Sequence, residues 1–129
     1  MDEARILEVV VIDDDEAVLD SFRFMLRAAG VEIAAYLSAI DYLERAGAPP
    51  RCLILDQNMP RMTGLELADR LRATGIGAPI LLITSSVSAS IIDKAAALGI
   101  AGVIQKPPAE DTILRFVGAG LDVTPPARA

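Results

Sequence analysis

Cys52-Leu53-Ile54-Leu55-Asp56 is an apolar run that ends on a carboxylate and then breaks into Gln57-Asn58-Met59-Pro60. A run with no polar alternation is the pattern of a strand covered on both faces, as in a parallel sheet. Three other runs close in the same way. Leu7 and Val9-Val10-Val11-Ile12 lead into Asp13-Asp14-Asp15, Ile80-Leu81-Leu82-Ile83 into Thr84-Ser85-Ser86, and Ala101-Gly102-Val103-Ile104-Gln105 into Lys106-Pro107. In an open parallel sheet the strands finish at one edge, and ligands bind in the crevice outside those ends. Acid, acid, hydroxyl and ammonium are thereby expected to converge.

Helical patterns fill the intervals. After Asp15, Val18, Phe22, Met25, Leu26 and Ala29 recur at helical spacing, and Gly30 is placed to stop that helix with a left-handed residue. Val31 to Tyr36 reads as a second strand. Ser38 with Asp41 resembles a capping box and opens a short helix ending near Gly47. Thr63 with Glu66 opens a third, which carries Leu67, Ala68 and Leu71 inward and closes near Gly75-Ile76-Gly77. A fourth spans roughly 88 to 98, and a fifth about 109 to 120. Five strand-then-helix repeats predict an α/β fold, a doubly wound five-stranded parallel sheet with helices on both faces. Residues 1–121 are expected to form this single domain, with 122–129, containing Pro125-Pro126, as a tail or the start of a linker.

Composition narrows the function. The 129 residues suit one domain, 53% of them are hydrophobic, and only 4% are aromatic, so aliphatic side chains must form the core. No stretch has the length of a membrane span and the N-terminus lacks a signal-peptide layout, so a soluble cytoplasmic protein is expected, without a membrane partner. A net charge of −6 argues against direct nucleic-acid binding, which needs clustered Lys and Arg. The absence of histidine removes the common zinc sites and the Ser-His and Cys-His nucleophile pairs. The single Cys52 opens a buried strand and is expected to be a core residue.

Each polar group alone has an ordinary reading. Asp13 to Glu16 would suit a helix N-terminus, Asp56 a turn, Thr84 a cap, and Lys106 a solvated surface. Their joint position at strand ends is what points to chemistry. Like charges about 4 Å apart repel by ~4 kcal/mol at an effective dielectric of 20. Asp13, Asp14 and Asp56 therefore call for a cation, supplied in part by Lys106 and more fully by a hard divalent ion such as magnesium.

Val-Ile-Asp-Asp (11–14), Leu-Asp-Gln-Asn-Met-Pro (55–60), Met-Thr-Gly-Leu-Glu-Leu (62–67), Ile-Thr-Ser (83–85) and Gln-Lys-Pro (105–107) appear in that order. With this set the chain resembles the receiver domain of two-component response regulators, over residues 6 to 120. The resemblance implies a flavodoxin-like (βα)5 fold and a phosphorylatable switch. Asp56 would take a phosphoryl group from a sensor histidine kinase or histidine phosphotransfer protein. Asp14, Asp56 and the Asn58 backbone carbonyl would bind Mg2+, and Asp13 would hold a metal-bound water. Lys106 would pair with Asp56 and then with the phosphoryl oxygens, and Thr84 would move to hydrogen-bond the phosphoryl group. Lys106-Pro107 would be a cis peptide, which proline makes tolerable. Such a domain is no enzyme beyond its own phosphoryl transfer and autodephosphorylation. Asn58 and Ser86 would tune the lifetime of the acyl phosphate, and the small Ser85 would leave it reachable.

Two positions depart from the family pattern. Val103 stands where receivers usually carry an aromatic, so signalling is expected to run through the backbone of Thr84–Ser90 and the following helix. Pro108 replaces a frequent phenylalanine after Lys-Pro. Ile91, Ile92, Ala95 and Ala96 make the fourth helix apolar, and a strip left exposed there would favour a homodimer through the fourth helix, fifth strand and fifth helix. Two alternatives stand beside a free-standing switch acting on a downstream protein target. One is the regulatory domain of a larger DNA-binding response regulator, joined by the Pro-rich tail to an effector domain. The other is a small aspartyl-nucleophile phosphohydrolase, which often has a second acid two residues after the nucleophile, where this chain has Asn58. The intact acidic set, Thr84 and Lys106 argue against a non-phosphorylated adaptor that kept only the fold.

Overall fold

The computed structural model describes residues 9–120, so Leu7 and the 122–129 tail lie outside the described residues. In chain order the elements are β1 (Val9–Ile12), α1 (Glu16–Ala28), β2 (Ile33–Tyr36), α2 (Ala39–Arg45), β3 (Cys52–Asp56), α3 (Gly64–Ala73), β4 (Ile80–Thr84), α4 (Ala89–Ala97), β5 (Gly102–Gln105) and α5 (Glu110–Gly120). The strands form one parallel sheet in the order β2-β1-β3-β4-β5. The order reverses between β1 and β3, which opens the crevice outside their carboxyl ends.

Strand periodicity divides the core. Val9, Val11, Cys52, Ile54, Leu81 and Ile83 face one side with Leu19, Phe22 and Leu26 of α1 and Ile113 and Val117 of α5. Val10, Ile12, Leu53, Leu55, Ile80 and Leu82 face the other, against α2, α3 and Ala95 of α4. Burying each such aliphatic side chain contributes at most about 1.5–3 kcal/mol, enough in number to hold an aromatic-poor core. Only the central strands β1, β3 and β4 are buried throughout. The edge strands β2 and β5 are half-buried, with Gln105 at the end of β5 exposed, because each has a neighbour on one side only.

Caps place the helix starts. The Asp15 carboxylate accepts from Ala17 N–H, Ser38 from Asp41 N–H, and Ser88 from Ile91 N–H. Thr63 and Glu66 form the reciprocal capping box. The Asp41 carboxylate instead pairs with Arg45, so the expected Ser38 box is realised in one direction. The second strand begins at Ile33 rather than Val31, since Val31 N–H donates to Leu26 O and finishes α1. The second helix stops at Arg45, short of Gly47, because Ala46 turns to an extended conformation.

Gly64 sets how closely α3 meets the sheet. A Cβ there would lie 2.7 Å from both Asp56 O and Leu82 Cδ1. Only glycine lets the helix begin against the end of β3. The Gln57 side chain also serves this junction, its Oε1 accepting from Leu65 N–H at 2.8 Å.

Candidate functional site

Asp13 follows β1 and Asp56 ends the neighbouring β3, so adjacent strand ends bring their carboxylates together. Carboxylate oxygens of Asp13, Asp14 and Asp56 lie within 4.8 Å of one another. Asp13 and Asp56 are buried, whereas Asp14 is exposed. Asp15 turns away to cap α1, so the acidic run divides between structure and site.

Asp56 is asymmetric. Its Oδ1 accepts from Lys106 Nζ at 2.9 Å and from Asn58 N–H at 3.2 Å. Its Oδ2 is buried and has no hydrogen-bond partner. A buried acceptor left unpaired costs about 1–3 kcal/mol, more when charged. Three carboxylates offering hard oxygen donors around that atom could hold a metal ion.

The protein field records the crowding. Burial pushes the Asp13 carboxyl from 3.8 up to about 6, opposed by the Asp15 N–H that it accepts and reinforced by Asp56. Burial would lower the Lys106 pKa, but the hydrogen bond and charge of Asp56, with Asp13 and Asp14 behind it, raise it instead. Lys106 thus stays an ammonium, and its half-buried ion pair replaces the solvated reading. The Lys106–Pro107 peptide is cis. Beside Asp13 and Lys106 lies a hollow of about 290 Å³, walled mainly by Val18, Phe22, Met25, Ile83 and Pro108.

Thr84 ends β4 and is fully buried, and the cap of the following helix is Ser88, not Thr84. Its hydroxyl lies 3.4 Å from Asn58 Oδ1 and 3.3 Å from Ser86 O, and accepts from Ser86 N–H at 3.2 Å. One hydroxyl proton serves only one of the two acceptors at a time, and both contacts are long. Asn58 Oδ1 also accepts from Ser85 N–H at 2.8 Å. The side chain of Asn58 thereby ties the loop after β3 to the segment after β4, a contact that the sequence left unread. Val103 is half-buried and packs against the cluster that holds Leu82 and Ala95. Cys52 is buried, and that burial pushes its thiol up to about 12, as befits a core residue.

The family model for the response regulator receiver domain matches residues 9–117. The chain belongs to that family. This receiver domain is 35% identical over 117 residues to the transcriptional regulatory protein FixJ of Azorhizobium caulinodans, covering 89% of this chain and 55% of the relative. It is 30% identical over 122 residues to the response regulator protein TodT of Pseudomonas putida, covering 94% and 54%. The chain thus spans about half the length of these curated relatives. Among solved structures, chemotaxis protein CheY4 of Vibrio cholerae superposes with a TM-score of 0.79 at 28% identity, over 87% of this chain and 96% of that one. The receiver places all six expected site residues, Asp13, Asp14, Asp56, Asn58, Thr84 and Lys106, at the carboxyl edge of the sheet.

Proposed function

We propose that Asp56 accepts a phosphoryl group from a phosphohistidine of a sensor kinase or phosphotransfer protein, and that the acyl phosphate alters the Thr84–Ala97 segment. One observation carries this reading: a buried carboxylate has one oxygen held by Lys106 and the other without a partner. That is a nucleophile fixed in place. In the transfer, an Asp56 oxygen forms a bond to phosphorus as the donor's P–N bond breaks, and its electron pair returns to the imidazole nitrogen. Lys106 stays charged throughout and neutralises the phosphoryl oxygens, as phosphoryl transfer depends on positioning and charge more than on covalent assistance. Thr84 leaves its two long contacts for a phosphoryl oxygen. Mg2+, held by Asp14, Asp56 and the Asn58 carbonyl with Asp13 on a bound water, would supply positive charge among the carboxylates. The same site would release the phosphoryl group to water.

Residues 1–121 are the proposed receiver unit. A match to about half of each curated relative supports a regulatory domain joined through 122–129 to an effector, DNA-binding as in a transcriptional regulator. The exposed Ile92 and Ala96 on α4 support a protein contact on that face, including a homodimer through α4, β5 and α5, while Ile91 and Ala95 turn toward the core. Incubation with acetyl phosphate and Mg2+ should add one phosphoryl group by mass spectrometry, and Asp56→Asn should take none. An Asp56→Asn protein that is still phosphorylated would overturn the assignment.

A further inference from the structure

The two ends of α4 are fastened unequally. At the end near the site, residues 85–88 are tied to the rest of the protein through Asn58 Oδ1, which accepts from Ser85 N–H, and through the long Thr84 contacts. Asn58, Ser85, Ser86 and Ser88 are all exposed, so water competes for these bonds. Beyond Ser88, the side-chain cap to Ile91 is internal to the helix.

The far end is different. Gly99, at φ +67°, lets the chain reverse, and Gly99 N–H and Ile100 N–H close the last turn onto Ala96 O and Ala95 O. The Arg72 guanidinium, from the last turn of α3, then takes the carbonyls of this reversal. Nε donates to Leu98 O at 2.8 Å and Nη2 to Gly99 O at 3.3 Å. Nη1 donates to Ile76 O and Ala78 O, both at 2.9 Å. One planar cation thus joins the turn after α3 to the turn after α4, across 26 and 27 residues of sequence. A cation at a helix C-terminus also meets the negative end of its dipole. Ala101 N–H adds a backbone bond to Ile80 O beside it.

We propose that Arg72 is a positioning residue that makes the C-terminal end of α4 a fulcrum, so that phosphorylation swings the N-terminal end while Leu98–Ile100 stay in place. The inference rests on phosphoryl acceptance at Asp56. Thr84 and Asn58 are the contacts a phosphoryl group disturbs, and they hold only the near end. Val103 is β-branched and packed, with few rotamers to add. Once those bonds yield, the near end keeps the packing of Ile91 against the core, while the far end is clamped by a rigid fork, and the helix is set to turn about the clamp. Lysine could not replace the fork, since one ammonium cannot reach four carbonyls set around a plane.

The test is a backbone amide NMR map of the full chain before and after Mg2+ and beryllofluoride, in wild type, Arg72→Ala, Arg72→Lys and Val117→Ala. In wild type, shifts should be large from Ser85 to Ile92 and fall away by Leu98–Ile100. Both Arg72 variants should spread the shifts along the whole helix and the turn after it. Val117→Ala, which loosens α5 in the core, should lower the melting temperature and keep the gradient. If Arg72→Ala does not fold, Arg72→Lys decides. Uniform wild-type shifts along α4, or a gradient intact in the folded Arg72 variants, would overturn the fulcrum with phosphoryl acceptance still standing. No shift at Asp56 and Lys106 would overturn both, leaving α4 no signal to carry.

Discussion

The two edges of one sheet use charge in opposite ways. At the carboxyl edge three carboxylates share one ammonium, and Asp56 Oδ2 has no hydrogen-bond partner. At the amino edge one guanidinium supplies four hydrogen bonds to carbonyls, with Arg72 itself half-buried. The first edge is short of positive charge and donors, and the second has its donors well matched to acceptors. An under-satisfied edge gains most from an arriving cation or phosphoryl group. A satisfied edge resists change, which is what a fixed point of the fold requires.

The largest expected effect breaks the satisfied edge. Arg72→Ala leaves four carbonyls to water and should cost about 2–4 kcal/mol in chemical denaturation, each hydrogen bond to a charged group being worth roughly 1.5–3 in isolation and the set not additive. A loss under half a kcal/mol would mean that solvent replaces the clamp. Next comes the junction that sets the reactive edge against α3. Gly64→Ala forces a Cβ into Asp56 O and Leu82, and overpacking of this kind costs about 1–3 kcal/mol. It should also slow phosphorylation by acetyl phosphate, because the backbone that must yield is that of Asp56. Unchanged stability and rate would show that α3 shifts freely.

The smallest effect relieves the crowded edge instead of breaking it. Asp13 titrates near 3.8 ordinarily and at about 6 in the fold. The folded state therefore holds the proton more tightly, and this group's contribution to stability is full below pH 3.8 and is lost as the pH rises toward 6. Without divalent cation, Asp13→Asn should be more stable than wild type at pH 7, by about 1–2 kcal/mol allowing for partial solvent screening. The difference should vanish below about pH 4. Thermal melts across that range measure it, and adding Mg2+ at pH 7 should favour the wild type. A variant no more stable at pH 7 than at pH 4, relative to wild type, would remove the electrostatic account of the site.

Most of the architecture was legible because local signals agree with one another. The buried runs 9–12, 52–56 and 80–84 lack alternation, Ser38 and Thr63 cap the helices that follow them, and Gly30 ends the first. Asp13, Asp14, Asp56, Thr84 and Lys106 were legible for a related reason: each sits at the end of a run, and a parallel sheet collects such ends, whereas Asn58 entered only through the family resemblance. What was not legible depends on contacts between residues far apart in sequence. Gly64 reads as an ordinary helix-start glycine until Leu82 is beside it, and Arg72 as a solvated helix charge until Leu98 and Gly99 are. The Gln57 side chain capping α3 and the Asn58 side chain reaching Ser85 belong to the same class. Val103 could be recognised as a departure, but only its packing against the α4 side of the core shows what it does there.

The central claim is that the chemistry resides at Asp56. Phosphorylation with acetyl phosphate and Mg2+, followed at once by borohydride reduction and peptide mass mapping, would convert an aspartyl phosphate to homoserine. Homoserine at position 56, absent when Mg2+ is removed by chelation, is the predicted result. Homoserine at position 13 or 14 instead, or none in a protein that has gained a phosphoryl group, would contradict it.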